Sequence, residues 1–498
     1  MSDGEKFYDT SDAGSYGETP RVYERYKGWK GIYYHPITQI TMLGFVCFMG
    51  PGLFNALTGL GGGGQVDSVT NSKSNAALYS TFAIMAFFAG SVNNKLGSKL
   101  TLLLGTFGYC LFIGSYLALN IHPDAGGFVI AAGAILGICA GLLWTAQGSI
   151  MLSYPTEAEK GRFIAIFWSI FNLGGVVGAA VSLGQNIHST SNSVGNGTYI
   201  GFVVLTAIGI ALPIFMVNPR NMIRTDGTKV PIPLQPSWKT QFYALWVALV
   251  TDPMIILLFP MFFSSNWFYT WQFSGFNGAI FNIRARALNN LLYWSSQIFG
   301  SIFMSFVLDL KRFRRRTRAF SGWVILLLMT FVIHVWAFFY QKEYTRDTYA
   351  NDAQRIDIFD PQYIGKAFLY VLFGVFDAMW QSTIYWLMGA MSNDPAKLAY
   401  FSGFCTPSLI SHIQDIHTVA LSLTDKAIQS AGNAGIWAAD AAKIPYMNMF
   451  LSTWILLVAG LVFALPMIYL RVKDHTDASD ETVAQLEAEA DGTRNEHA

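Results

Sequence analysis

The chain has 498 residues, 52% of them hydrophobic and only 13% charged, with a formal net charge of +1 and a mean hydropathy of +0.36. So little charge cannot solvate a globule of this size, which excludes an ordinary water-soluble enzyme and makes lipid the expected solvent. The near-neutral balance offers no electrostatic footprint for a nucleic acid.

In chain order, residues 1–35 are polar, Tyr-rich and charged, with no apolar core near Met1 and no small-residue cleavage site, so a retained cytosolic N-terminal segment is expected. Apolar stretches long enough to cross a bilayer follow at about 37 to 60, 76 to 94, 99 to 120, 127 to 153, 162 to 186 and 199 to 218. A polar segment over 219–251, carrying Pro219, Pro231, Pro233 and Pro236, reads as a cytosolic linker. A second set lies at about 252 to 273, 288 to 309, 319 to 340, 363 to 391, one disturbed stretch between 398 and 441, and 446 to 470. The pattern predicts an all-α membrane protein of about twelve helices in two six-helix halves, 36–218 and 252–470. The acidic, Ala-rich end over 471–498 reads as a disordered cytosolic tail.

Lys and Arg sort by loop parity. Lys95 with Lys99, Lys160 with Arg162, the stretch Arg220 to Lys239, the run Lys311 to Arg318, Lys397, and Arg471 with Lys473 fall in alternate loops. The positive-inside rule makes those loops and both termini cytosolic, in the plasma membrane or an endomembrane such as the vacuole. Asn196-Gly197-Thr198 is an N-glycosylation sequon in a loop that parity places outside, predicting a glycoprotein. Arg284 and Arg286 break the parity; they either pair with the acidic outer loop over 341–362 or gate an anionic ligand.

The halves echo one another. Gly90, Asn94, Lys95, Gly97 and Lys99 form a Gly/basic loop between spans two and three, with Asn94 where an acid is usual in such loops; Asp309 precedes the Arg run at the corresponding place after span eight. Such loops let basic side chains and close Gly contacts pin two helices together and release them as the halves rock. The alternative is a plain positive-inside anchor. Span four places Trp144 and Gln147 near its middle, and span ten places Asp377, Trp380 and Gln381 there.

These segments resemble the uncoordinated-93-like family of the major facilitator superfamily, named for an ion-channel regulatory protein, and its fungal branch in particular. The resemblance is carried by Pro51 to Leu57 with Gly61 to Gln65, Trp144 to Gly148, Ser265 to Tyr269, Arg284 to Asn290, Asp377 to Gln381, and Gln429 to Gly432. It implies a twelve-helix fold and leaves activity open between a transporter, a channel regulator and a receptor escort. One departure stands out: Cys405 to Asp425 separates Gly403-Phe404 from Lys426, where the family reads Gly-Phe-Tyr-Lys. With Pro407, His412, Asp415 and His417 it cannot lie in lipid as a helix. A retained intron accounts for it, because the codons for Cys405-Thr406 and Leu423-Thr424-Asp425 can supply donor, branch and acceptor sequences whose excision restores a Tyr codon. A metal site there is disfavoured, since the His412, Asp415, His417 spacing matches no ordered zinc pattern.

Asp377 is the residue singled out, because a carboxylate deep in an apolar span is costly unless neutralised, paired or wetted. It is expected either to bind a proton or cation in a central cavity or to bond helix-packing partners such as Gln381 and Trp380. Asn55, Gln147, Asn172, Asn266, Gln272 and Gln297 could line the same cavity, with Trp144, Trp271 and Trp380 stacking on a ring or organic cation. Each amide has the interhelical hydrogen bond as its alternative. The glycine string Gly59 to Gly64 lacks the preceding strand of a dinucleotide site, and no phosphate-loop motif is present. No cofactor, metal or enzymatic nucleophile is therefore expected. The reading is a secondary transporter of a small solute or ion, with proton coupling at Asp377. Its alternative is a non-transporting escort of another membrane protein such as an ion channel.

Overall fold

A computed structural model describes residues 23–64, 68–156, 159–230, 239, 246, 253–310, 312–349, 354–392 and 426–472. The proposed intron at 405–425, most of the linker, Lys311, Lys397 and the terminal tail lie outside them. Among the described residues ten helices are long and apolar enough to cross a membrane. In chain order these are α1 (Pro36–Gly59), α2 (Ser68–Leu96), α3 (Ser98–Ile121), α4 (Gly126–Ser153), α5 (Lys160–Asn186), α6 (Asn196–Phe215), α8 (Ile283–Asp309), α9 (Arg315–Gln341), α10 (Tyr363–Ser392) and α12 (Tyr446–Arg471). Two more elements complete the series. The seventh, α7, is broken into Phe259–Ser264, Trp267–Thr270 and Trp271–Gly278, and α11 is helical over 426–441.

Helix α2 starts at Ser68 rather than near residue 76. Its polar first turns are buried and neighbours satisfy part of them: Ser74 Oγ donates to Val129 O at 2.7 Å, and Tyr116 Oη donates to Asn71 Oδ1 at 2.6 Å, while Asn71 Nδ2 and Asn75 Oδ1 have no hydrogen-bond partner among the described residues. Likewise α8 starts at Ile283, well before the expected 288, because Asn282 caps it by accepting from Ala285 N at 3.0 Å.

Small residues set the helix spacing. On α4, Gly133, Gly137 and Gly141 form a stripe against Ser74, Leu78 with Thr81, and Met85 of α2. Lipid gives no hydrophobic reward for helix association, so close backbone approach and bonds such as Thr81 Oγ1 to Ala134 O, 2.8 Å, hold the pair. The second half repeats the device. Gly374 of α10 lies against Tyr293 and Ser296 of α8, and Gly300 of α8 against Val375 and Ala378 of α10. That pair of contacts brings the Asp377 carboxyl within reach of α8.

The first helix of each half is locally underwound. Residues Phe48–Gly52 of α1 and Trp271–Gly278 of α7 form π-helical turns. Pro51, which has no N–H to donate, accounts for the first. The second is stabilised from α9: Trp271 Nε1 donates to Gln341 Oε1 at 2.7 Å, and Tyr344 Oη beyond α9 donates to Gly275 O at 2.8 Å. Such turns place side chains out of helical register and recur at functional sites.

Candidate functional site

Asp377 is 1% exposed and lies where α7, α8 and α10 converge. Its Oδ2 receives Gln297 Nε2 at 2.7 Å, Tyr269 Oη at 2.8 Å and lies 3.0 Å from Tyr293 Oη. The other oxygen, Oδ1, is buried with no hydrogen-bond partner. Tyr293 Oη is also 3.1 Å from Gln272 Oε1, so two of the expected amides join the carboxyl, Gln297 directly and Gln272 through a tyrosine.

A second polar chain runs beside it. Gln381 Nε2 donates to Ser265 O at 3.0 Å and to Asn266 Oδ1 at 3.1 Å, and Gln429 Nε2 donates to the same Asn266 oxygen at 3.1 Å. Lys426 Nζ continues it to Gln429 Oε1, 3.2 Å, and Tyr385 Oη, 2.9 Å. Gln381 thus bridges α10 to the break in α7, which frees the carbonyl of Ser265, and its amide also lies near enough to Asp377 to act on the carboxyl, although its hydrogen bonds within 3.5 Å go to Ser265 and Asn266 while the tyrosines and Gln297 bond Asp377 directly.

Other expected residues sit elsewhere. Asn55, Trp144 and Gln147 are half-buried on α1 and α4, and Asn172 is exposed on α5. Trp144 stacks edge-on with Phe171, ring centres 5.6 Å apart. Trp380 and Trp271 are fully buried, and their indoles pack on Phe376 and on Phe373 with Phe450. They offer no face for stacking on a ligand and are corrected to core residues, because α10 and α7 turn them into the second half rather than toward its surface. Asn94 and Lys95 are exposed at the end of α2, Lys99 is half-buried, Gly90 is buried, and the buried amide of that loop is Asn93. Gly97 takes φ +77° to turn α2 into α3. Asp309 ends α8 exposed, and Asn196 is exposed with its Oδ1 accepting from Asn120 Nδ2 at 2.5 Å. Among the described residues no group of three or more His, Cys, Asp or Glu could hold a metal.

The two halves meet at the end of the bundle opposite the Lys/Arg-rich loops. Arg286, 2% exposed on α8, donates through Nε to Leu60 O at 2.6 Å, through Nη1 to Asn192 O at 2.8 Å, and through Nη2 to Gly61 O. Asn290 Nδ2 donates to Ala56 O at 2.6 Å and Asn277 Nδ2 to Gly59 O at 3.0 Å. The guanidinium therefore covers the exposed carbonyls at the end of α1, where cations are favoured. A second crossing joins Ser72 Oγ to Asp440 Oδ2 at 2.6 Å, with Arg346 on Asp440 Oδ1 at 2.7 Å. These contacts tie the two halves together at that end of the bundle. Arg284, by contrast, pairs with Asp357 of the segment between α9 and α10. Arg284 thus takes the expected pairing, whereas Arg286 touches backbone carbonyls rather than an anion.

Sequence reasoning missed Tyr269, Tyr293 and Lys426. The signal for Tyr293 was present: Arg286, Asn289 with Asn290, Tyr293 and Gln297 recur at three- and four-residue spacing, a polar stripe on one face of an apolar helix.

This all-α architecture is the major facilitator fold of multi-pass membrane proteins. The solved structures that share it include a D-xylose-proton symporter (13% identity, 89% of this chain and 98% of that one, TM-score 0.56). A partially occluded inward open xylose transporter XylE from E. coli gives 14%, 88%, 98% and 0.57. The family described as ion channel regulatory protein UNC-93 matches residues 63–407, and the chain belongs to that family. It is 46% identical to an UNC93-like protein of Schizosaccharomyces pombe over 90% of this chain and 85% of that protein, and 36% identical to UNC93-like protein 1 of Arabidopsis thaliana over 90% and 93%.

Proposed function

We propose that the chain is a secondary transporter that moves a small solute by alternating access, with Asp377 as its coupling carboxyl. The observation that carries this is the Asp377 cluster: a single buried acid with three potential donors on one oxygen and none on the other. A structural acid is normally satisfied on both oxygens, because an orphaned buried acceptor costs about 1–3 kcal/mol. Half-satisfaction suits a group that must exist in two protonation states. The break in α7 supplies unwound backbone beside it, and the Arg286 latch supplies a gate that can open.

Half-exposed Gln297, Gln381, Asn266 and Lys426 form the orienting shell around Asp377. The solute is accordingly polar, and the coupling ion is a proton. The solved neighbours include a D-xylose-proton symporter and a nucleoside transporter, and the proposal draws on their fold alone.

The regulator reading rests on the family description, ion channel regulatory protein, and on the degenerate Gly/basic loop with Asn94 in place of an acid. The two readings separate on cells lacking the gene against cells expressing the chain at matched membrane abundance, profiled for internal and external metabolites and potassium. A solute whose distribution follows the protein supports transport. Equal profiles, with the protein confirmed in the membrane, favour the escort.

A further inference from the structure

One hydroxyl in the Asp377 cluster faces too many acceptors. Tyr293 Oη has a single proton, yet it lies 3.0 Å from Asp377 Oδ2 and 3.1 Å from Gln272 Oε1, both acceptors if the acid is ionised and the amide presents its oxygen. The remaining contacts on Oδ2 are donors, Tyr269 Oη and Gln297 Nε2. The count closes in one way with the amide as placed: Tyr293 donates to Gln272, and Asp377 donates its own proton to Tyr293. The orphaned Oδ1 agrees, since a buried carbonyl oxygen of a neutral acid is cheaper to leave bare than a charged carboxylate oxygen.

We infer that Gln272 is a positioning residue that keeps Asp377 protonated in this closed conformation by claiming the proton of Tyr293. This rests on the proposed coupling role of Asp377 and adds the device that holds the proton. When the acid releases its proton to water, Tyr293 turns its own proton onto Oδ2, and Gln272 must turn its Nε2 toward the hydroxyl to keep the bond. The bond count therefore ties amide rotation to charge.

The residue is well placed to pass that change on. Gln272 lies in the π-helical turn that also holds Asn277, and Asn277 Nδ2 bonds Gly59 O of the first half and Arg286 O of the latch helix, at 3.0 and 3.3 Å. Tyr293 and Arg286 share α8. A rotation at Gln272 thus acts on the same short segment that grips α1.

The titratable groups facing the cluster are few. Tyr269 on α7 and Tyr293 on α8 touch Asp377; Tyr79 of α2 and Tyr385 of α10 lie within electrostatic range of Tyr269, and Tyr370 of α10 of Tyr293. On α9, His334 stacks on Phe450 and Trp454 and meets α10 at Phe376. The nearest described cations are Lys426, bonded to Tyr385, and Arg286, in range of Tyr370.

The test reads the proton directly and needs no substrate. Full-length protein in lipid is titrated by infrared difference spectroscopy, and the carboxylic C=O band absent from Asp377→Asn is followed with pH. Gln272→Leu removes the acceptor, which releases Tyr293 to the carboxylate, so the half-titration pH of the band falls by about one unit or more. Gln272→Glu strengthens the acceptor and adds a like charge, so it rises. In a Tyr293→Phe background Gln272→Leu has no further effect, because the link is gone. Opposite shifts from Leu and Glu support the assignment; a midpoint that neither moves, or moves in the same direction for both, overturns it, as does an unaltered response after loss of Tyr293. A titrating band in a protein that moves no solute would leave this inference standing and remove the transport reading instead.

Discussion

Arg286 lies on α8 of the second half, and its guanidinium bonds the carbonyl of Gly61 at the end of α1 in the first. Three backbone carbonyls share its N–H groups, and the residue is almost wholly buried. Removing the side chain removes hydrogen bonds to a charged group, each worth about 1.5–3 kcal/mol. Arg286→Gln is therefore expected to shift the closed-to-open balance at that end by at least about tenfold, the equivalent of about 1.4 kcal/mol. A cysteine placed at Ser274, which lines a cavity of about 130 Å³ beside the latch, reports it. Its rate of labelling by a water-soluble thiol reagent should rise accordingly, and an unchanged rate in a correctly folded variant would count against the latch.

Two glycines with the same sign and size of φ should respond differently to Ala. Gly61 has φ +75° and Gly97 has φ +77°. A Cβ at Gly97 meets nothing within 4 Å, so Gly97→Ala carries backbone strain alone, about 1–3 kcal/mol, because φ +77° with ψ 155° lies in a region nearly confined to glycine. At Gly61 it would strike the carbonyl of Phe273 and the backbone of Gly278, both on the facing half. Thermal unfolding in detergent should show a larger drop for Gly61→Ala than for Gly97→Ala. Equal drops would mean that the tight approach of α1 to α7 contributes nothing.

The segment between α9 and α10 carries a pH-dependent tie. Burial works to raise the Asp357 carboxyl, but hydrogen bonds from Arg284 and Asn282 outweigh it and hold the group below the usual carboxylate range. A depressed folded value means the contribution is complete above the unfolded carboxylate value, about 3.9, and is lost as pH falls through the folded one. Stability attributable to this pair should then be flat from pH 5 to 8 and decline only below about pH 4. Asp357→Asn should lower the unfolding temperature at neutral pH and flatten the acid limb. An acid limb identical to that of the unsubstituted protein places the pH sensitivity elsewhere.

The segment Cys405 to Asp425 is expected to be absent from a mature message, replaced by one Tyr codon. The family match ends at residue 407, just inside it. Long-read sequencing of transcripts across this region decides it: a dominant message without the segment supports the intron, and its presence in every mature message rules it out.

Much of the fold was legible because lipid imposes a simple rule, that each span be apolar and long enough to cross. The exceptions were polar turns that the fold partly satisfies internally. Ser68 to Asn75 read as loop because Asn71, Ser72, Ser74 and Asn75 are polar, and only the positions of Tyr116, Val129 and Asp440 show what Asn71 Oδ1, Ser74 and Ser72 bond. The site was partly legible for the same reason. A lone Asp in a span announces itself by its cost, whereas Tyr269 and Tyr293 look like ordinary aromatic filler until their hydroxyls are placed. Trp380 shows the reverse: an indole next to an acid in sequence suggested a ligand platform, but helical geometry sends it to the core.

The most direct test of the central claim compares the unsubstituted chain with Asp377→Asn and Asp377→Glu at equal membrane abundance, with solute distribution followed at two external pH values. The account predicts a solute gradient that responds to pH with the unsubstituted chain, is lost with Asn and is partly kept with Glu. Undiminished, pH-responsive accumulation in Asp377→Asn would contradict it.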